Sequence, residues 1–408
     1  MKQLKVTLET ITPLFLGGAN PRGDPELRAP SFRGVMRFWL RALLGGVVGD
    51  NPQEIFKRES AVFGSTEHAS PVVVRVNHQL PQPVGYSKLT ANKTGLAYLL
   101  FSARGTRTEP EREAVPAGQT LELTFQFRSG SQDDLSLKAV LASLWLLTRF
   151  GGVGSRSRRG GGNLQVLSVQ GEVPSSLPSL QLGAKTPSEL QKELTQGLSQ
   201  LRQWAAETFN GSLQPKFSGQ PEFDVLHPDF CKIWVVDRTF NKWDEALNEF
   251  GSIMQRFRQR RKPDYENIKS AIQGGSKFQT VERAAFGLPI VFFYGSLYRD
   301  YLQKFKGQGL DEKESQRRAR EMASAELEGT KHDRRASPLI VRVIKLANGK
   351  HALVLLRFIA PLLPSDERLK LRHNNREILA NQPDDSILRE FLEQVKKQLA
   401  PLLEVTGW

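Results

Sequence analysis

Thr120-Leu121-Glu122-Leu123-Thr124-Phe125-Gln126-Phe127, then the run 135–150, then Asn163-Leu164-Gln165-Val166-Leu167-Ser168-Val169 together decide the fold. The first and third stretches alternate apolar and polar residues with the period of two that marks a half-buried strand. Between them, Val140, Leu141, Leu144, Trp145 and Leu147 make residues 135–150 apolar nearly all round, which predicts a buried helix. Working outward, Leu4, Val6 and Leu8 alternate with Lys5, Thr7 and Glu9, and Val72-Val73-Val74-Arg75-Val76 gives one more strand. A helix is expected between these two, from Ser31 as N-cap to about Leu44, stopped by Gly45-Gly46. Its apolar face is Val35, Phe38, Trp39, Ala42 and Leu43.

The order β-α-β-β-α-β is the split βαβ or ferredoxin-like arrangement. Residues 171–230 are rich in Ser, Pro, Gln and Gly around a helical patch at 190–209 and read as a connector. Lys232-Ile233-Trp234-Val235-Val236 restarts with a strand, followed by an amphipathic helix over 242–258. The dense opposite charges of 310–330 predict a solvent-exposed helical insertion. Strands at 339–345 and 352–358 flank Asn348-Gly349, a hairpin signal that asks for left-handed backbone at both turn residues. A terminal helix is expected over 386–403. The expected architecture is therefore α+β, with two ferredoxin-like (βαββαβ) domains and insertions. Their limits are residues 1–172 and 231–408, joined by the connector 173–230.

Over 408 residues the net charge is +14. Such an excess adds nothing to a core but attracts polyanions, of which nucleic acid is the commonest. No apolar run is long enough to span a bilayer and no basic amphipathic helix has an unbroken apolar face, so no membrane association is expected. The start Met1-Lys2-Gln3-Leu4-Lys5-Val6 alternates where a signal peptide would be continuously apolar. These features, with a single cysteine, Cys231, predict a cytoplasmic chain without disulfides. The six histidines are scattered, with no pair one helical turn apart, and no metal site is expected.

The most unusual stretch is Gly151-Gly152-Val153-Gly154-Ser155-Arg156-Ser157-Arg158-Arg159-Gly160-Gly161-Gly162. Glycines such as Gly152 and Gly154 admit an anion close to backbone N–H groups, and Arg156, Arg158 and Arg159 supply bidentate phosphate contacts. A nucleotide-phosphate loop sits between a strand and the following helix. This one lies after a helix and before a strand, so no nucleotide cofactor is expected. A flexible solvated linker is the alternative.

Arg33, Arg37 and Arg41 recur every four residues on the first helix and share one side of it. That stripe is either a solvated face or one wall of a groove whose other wall is the Gly–Arg loop. In the ferredoxin-like order the two can lie on the same side of the sheet. The long loop 12–30 leads into the helix start, where free N–H groups and Arg33 suit a phosphate. Arg256, Arg258, Arg260, Arg261 and Lys262 form a basic run at a helix end; the helix dipole accounts for part of it, and the remainder is either a solvated helix end or a secondary RNA or partner contact.

Thr12-Pro13-Leu14-Phe15-Leu16-Gly17-Gly18, residues 30–43 with Arg37-Phe38-Trp39, Val62-Phe63-Gly64-Ser65 and the loop 151–162 occur in an order that resembles the RAMP superfamily of CRISPR effector proteins. Together with Arg334-Arg335-Ala336-Ser337-Pro338-Leu339 they resemble, within it, the family of first subunits of the Cmr, or type III-B, complex. The resemblance spans about residues 1–170 and, more thinly, 280–360. It implies two RRM-like domains, binding to the 3′ side of the CRISPR RNA and its paired target RNA, assembly with other Cmr subunits, and a role in antiviral defence. With the stripe and loop read above, Arg33, Arg37, Arg41, Gly152, Gly154, Arg156, Arg158 and Arg159, the resemblance adds Arg334 and Arg335 as candidate RNA-binding residues. It implies a non-catalytic subunit, because cutting belongs to other subunits of the complex. Related backbone subunits cut with an aspartate in the loop matching 12–30, where Asp24 is the only one; Asp24-Pro25 is equally a turn former. The alternative activity is a metal-independent endoribonuclease processing CRISPR RNA, with His332 beside Asp333 as general base, against an incidental histidine in a charged loop.

Overall fold

The computed structural model describes residues 2–78, 81–106, 109–128, 133–275 and 278–408. They form two compact units: one takes the chain up to Gln255 with Leu339–Ile359 and Val395–Trp408, the other Arg256–Pro338 with Ala360–Gln394.

In chain order the first unit begins with β1 (Gln3–Thr10), α1 (Ala29–Val48), α2 (Pro52–Phe63) and β2 (Val72–His78). An insertion carries β3 (Val84–Gly85), α3 (Tyr86–Thr90), α4 (Thr94–Leu99), a 3-10 turn at Phe101–Ala103 and β4 (Glu113–Ala114). Then come β5 (Thr120–Phe127), α5 (Asp133–Phe150) and β6 (Leu164–Gln170). The sheet order is β2-β5-β1-β6, all antiparallel, as the ferredoxin-like arrangement requires. Register pairs Leu4 with Phe125, Val6 with Leu123 and Leu8 with Leu121, and all six are buried. α5 is buried along its apolar run, Leu137 through Phe150.

α1 departs from expectation at both ends. Its N-cap is Arg28 in extended backbone with a proline in the first turn, so Ser31 lies inside the helix. It also runs through Gly45-Gly46 to Val48. Those glycines serve close packing: a Cβ on Gly46 would stand 2.1 Å from the Leu226 carbonyl oxygen, and the Leu226 N–H donates to the Ala42 carbonyl at 2.9 Å. The stop is Gly49, at φ +94°.

The stretch read as a connector contains α6 (Pro187–Thr208). Leu190, Leu194, Leu198, Leu201 and Ala205, spaced at three and four, are buried in the same core as the first sheet. Gly197 lets the Trp145 ring approach; a Cβ there would lie 2.2 Å from it. β7 (Cys231–Val236) and α7 (Trp243–Gln259) follow. After α8 (Lys262–Ile272), β8 (Ile290–Phe293), α9 (Gly295–Gly307), α10 (Glu312–Met322) and β9 (Ser324–Gly329) come β10 (Leu339–Lys345) and β11 (His351–Phe358). The chain closes with β12 (Leu369–His373), β13 (Arg376–Ala380), α11 (Ser386–Gln398) and β14 (Leu402–Glu404).

A second sheet in the first unit has the order β10-β11-β7-β14, the same ferredoxin-like permutation. The terminal helix is shorter than expected, because Pro401 cannot extend it, and β14 completes the unit. In the β10–β11 hairpin only Gly349 is left-handed, at φ +83°. The Gly349 N–H donates to the Leu346 carbonyl at 2.9 Å and the Leu346 N–H to Lys350 at 2.7 Å, a three-residue loop in which the glycine alone carries the reversed backbone.

The second unit has its own sheet, β13-β12-β9-β8. Its β9 corrects the reading of 310–330 as wholly exposed helix: Ala325, Leu327 and Glu328 are buried, because Ala325-Glu326-Leu327 already alternates at the strand period behind the charge-dense α10.

Two histidines of the first unit give its stability a pH dependence. Burial, then the nearby Arg202 guanidinium, holds the His227 imidazole below its usual pKa, and burial does the same at His351. As pH falls below ~6.5 the unfolded chain takes up these protons before the folded one does, so stability present above that pH is lost. The unfolding midpoint is expected to drop between pH 7 and 5, less steeply in His227→Gln. Equal slopes for the two proteins would contradict this.

Candidate nucleic-acid interface

The Gly–Arg loop is an ordered, mostly buried junction. Its backbone closes on itself and on the first loop of the chain. Val153 N–H donates to Gly162 at 2.9 Å, Gly161 N–H to Arg156 at 3.1 Å, Ser155 N–H to Phe15 at 2.9 Å and Gly162 N–H to Pro13 at 2.9 Å. A Cβ at Gly152 would meet the Gly161 oxygen at 2.5 Å and one at Gly154 the Phe15 oxygen at 2.4 Å, so these glycines admit neighbouring backbone. Gly154, Gly160 and Gly162 are left-handed, as is Arg156 at φ +63°.

β10 supplies the other anchor. Val341 N–H donates to the Arg158 carbonyl at 3.2 Å, Val343 N–H to the Asn163 side-chain oxygen at 2.8 Å, and Arg342, 1 % exposed, donates to the carbonyls of Leu147, Gly151 and Leu164. The guanidinium thereby ties the end of α5 and the start of β6 to β10, adding a charged donor to carbonyls of which Leu147 also accepts the Gly151 N–H at 2.9 Å and Gly151 the Asn163 side-chain amide at 3.3 Å. Burial, with Arg149 nearby, pushes the Arg342 pKa well down.

The loop arginines make protein contacts. Arg156 Nε donates to the Leu99 carbonyl at 2.6 Å and its guanidinium lies 4.9 Å from the Phe101 ring centroid. Arg158 pairs with Asp224 at 2.6 Å and lies 5.2 Å over Phe38 of α1. Arg159 is buried, with a nitrogen 3.4 Å from the Met254 sulfur. The Arg158–Phe38 contact places the loop directly against α1, beside Arg37.

On α1 the three arginines differ. Arg37 forks onto the fully buried Glu59 of α2, one contact at 3.2 Å, and Arg41 lies 3.6 Å from the same carboxylate. Burial raises the Glu59 pKa even so; a buried acid needs such partners. Among the described residues the Arg33 side chain has no hydrogen bond or ion pair, and its Nε is buried without a partner.

Sequence reading passed over the insertion between β2 and β5. Arg112 donates to Ser155 of the Gly–Arg loop at 2.6 Å. Arg22 reaches the carbonyls of Arg104 and Pro110 at 3.2 and 2.9 Å and pairs with Glu109 at 2.7 Å. The insertion thus joins loop 12–28 and loop 151–162, and it presents Phe101, 56 % exposed. The only advance signal was an arginine-bearing stretch with an aromatic, unremarkable without its neighbours. Asp24 is exposed on loop 12–28.

The remaining predicted residues belong to the second unit. Arg334 is exposed; the backbone of Arg335 is paired with Leu288 at 3.2 and 2.9 Å. The His332 imidazole meets the carboxylate of Glu367, not that of Asp333, and Glu367 also accepts from the Lys331 and His332 backbone at 2.9 and 3.0 Å. In the basic run, Arg258 lies over Phe286 at 5.5 Å and Arg261 over Phe257 at 4.5 Å, with Glu282 at 2.8 Å and Glu390 as ion-pair partners. Arg256 and Arg260 are exposed; the Lys262 side chain lies outside the described residues. No helix among the described residues is long and apolar enough to cross a membrane.

The RAMP superfamily model matches residues 7–165. Cmr subunit Cmr1-1 of Pyrococcus furiosus is 29 % identical over 266 residues, 64 % of this chain and 74 % of that protein. The structure resembles the apo crystal structure of Cmr1 from Pyrococcus furiosus, with a TM-score of 0.62 at 22 % identity over 100 % of both chains. It also resembles a chain of the type III-B Cmr-beta complex bound to cognate target RNA, with a TM-score of 0.54 at 13 % identity over 97 % and 99 % of the two chains. These structural likenesses establish a shared fold. Cmr subunit Cmr1-2 of the same organism is 35 % identical over 173 residues, which cover 39 % of this chain and 92 % of that protein, and the chain therefore belongs to the RAMP superfamily, in the family of first Cmr subunits.

Proposed function

We propose that this chain is an RNA-binding subunit of a type III-B CRISPR effector complex, holding the 3′ side of the CRISPR RNA and the paired target RNA together with other Cmr subunits, and cutting neither strand. The family supports a place in such a complex. The net charge of +14 supports a polyanionic partner. The observation that carries the reading is the convergence of α1, loop 12–28 and the Gly–Arg loop, fixed by Arg158 over Phe38 and by Ser155 on Phe15. Arg33 stands in this region with a guanidinium uncommitted among the described residues, while its helical neighbours Arg37 and Arg41 hold Glu59. The non-catalytic part of the reading is supported by membership of the family of first Cmr subunits.

Phosphate contact and internal pairing have different salt signatures. Arg33→Ala is expected to weaken RNA binding at every sequence and to reduce the slope of log K against log salt by ~0.7, one single-strand phosphate contact. The measurement is a titration of the full chain with single-stranded RNA at several salt concentrations. An unchanged slope would remove Arg33 from the interface.

A further inference from the structure

RRM-like sheets commonly read RNA by stacking bases on aromatic residues of their open face. Among the described residues the first sheet here offers none. Its outward rows, read from the register, are Val73–Gln126–Gln3, Arg75–Thr124–Lys5–Gln170 and Asn77–Glu122–Thr7–Ser168. The Glu9 row is tied up by the Lys345–Glu9 ion pair at 2.8 Å. If this chain holds RNA, its bases stack elsewhere or not at all.

We infer that Phe101 is the stacking platform, receiving one nucleobase of single-stranded RNA at the edge of the Gly–Arg loop. This rests on the RNA-binding reading above and extends it to a residue that neither the sequence motifs nor the relatives single out. The ring is 56 % exposed, a cost to the free protein that a stacked base relieves. It is held rigidly. Phe101 opens the 3-10 turn Phe101–Ala103, the preceding Leu99 carbonyl is gripped by Arg156 Nε at 2.6 Å, and Arg112 ties the same insertion to Ser155. Arg156 lies 4.9 Å from the ring centroid, and more than half of the residue's surface remains exposed.

The pairing suits RNA more than a protein partner. An aromatic surface takes any base through its π face, and the adjoining guanidinium supplies a cation where the following phosphate must run. A protein-docking patch would be expected to add further exposed apolar residues around it. In the insertion Leu96, Leu99, Leu100 and Ala103 are all buried, which leaves Phe101 standing apart from these neighbours.

The test uses the full chain and a single-stranded RNA carrying one 2-aminopurine, whose fluorescence is quenched by stacking. Phe101→Ala is expected to weaken binding roughly 5- to 150-fold, to abolish quenching and to leave the salt slope unchanged, because a stacked base releases no counterions. Phe101→Trp should keep both affinity and quenching; Phe101→Leu should lose both, although it keeps the apolar volume. Wild-type affinity in Phe101→Ala, or full affinity in Phe101→Leu, would overturn the inference. If Phe101→Ala is wild-type while Arg33→Ala still lowers the salt slope, the stacking role fails and the RNA-binding reading stands. If the wild-type chain binds no RNA, both fall. If Phe101→Ala leaves RNA binding intact but fails to co-assemble with the other subunits, the residue is a protein contact.

Discussion

Arg342→Met is expected to lower the thermal unfolding midpoint by on the order of 10 °C, from a loss of ~3–5 kcal/mol at a few degrees per kcal/mol. Three carbonyls, those of Leu147, Gly151 and Leu164, receive its guanidinium in a site with 1 % exposure. Methionine fills most of the volume but donates nothing, so the three buried carbonyls lose a charged donor together, although Leu147 keeps the Gly151 N–H and Gly151 the Asn163 side-chain amide. The same change removes the side-chain part of the tie between the Gly–Arg loop and β10 and leaves the Val341 and Val343 backbone bonds, so RNA affinity should fall with stability. Arg342→Lys, with one donor head in place of a planar fork, should fall between the two. Thermal unfolding followed by circular dichroism is the check; a shift under ~2 °C for Arg342→Met would show that the three bonds contribute little net free energy.

Gly162→Ala should destabilise by ~2–4 kcal/mol, through left-handed backbone and an immovable clash combined. Gly162 sits at φ +62°, and its Cβ would stand 1.9 Å from the Val153 carbonyl oxygen. Neither atom is at the end of a flexible side chain, and relief would break the bond from Val153 N–H to Gly162. Gly349→Ala separates the two causes. It has the same backbone sign, φ +83°, with nothing within 4 Å of the added carbon, and should cost only ~1 kcal/mol. Denaturant unfolding of both variants decides the matter: equal losses would mean that the clash is relieved without cost.

Arg342→Met and Gly162→Ala both probe the packing of the Gly–Arg loop. Its composition suggests glycines clearing space for a ligand and arginines reaching toward it. In the folded chain, backbone fills that space and Arg158 and Arg159 turn to Asp224 and Met254. A composition signal states which conformations and charges are available. It cannot state which neighbour uses them, because Pro13, Phe15, Asp224 and Val341 are far away along the chain.

What the sequence by itself determined is the repeated unit and its polarity. The period-two runs of β1 (Leu4, Val6, Leu8), β5 and β6, with an all-round apolar α5, leave few ways to bury their faces, and the antiparallel order follows. The ordered motifs also carried the family, since they record a shared loop framework. Only the tertiary structure decided which arginine is available. Arg33, Arg37 and Arg41 are equivalent on a helical projection; they differ because α2 brings Glu59 beneath two of them. Likewise Phe101 was one aromatic among twenty-three phenylalanines until the insertion folded onto the Gly–Arg loop and left its ring outside. Helix and strand periods are local properties of a chain, whereas the pairing of a charge or the exposure of a ring is fixed by contacts between segments distant in sequence.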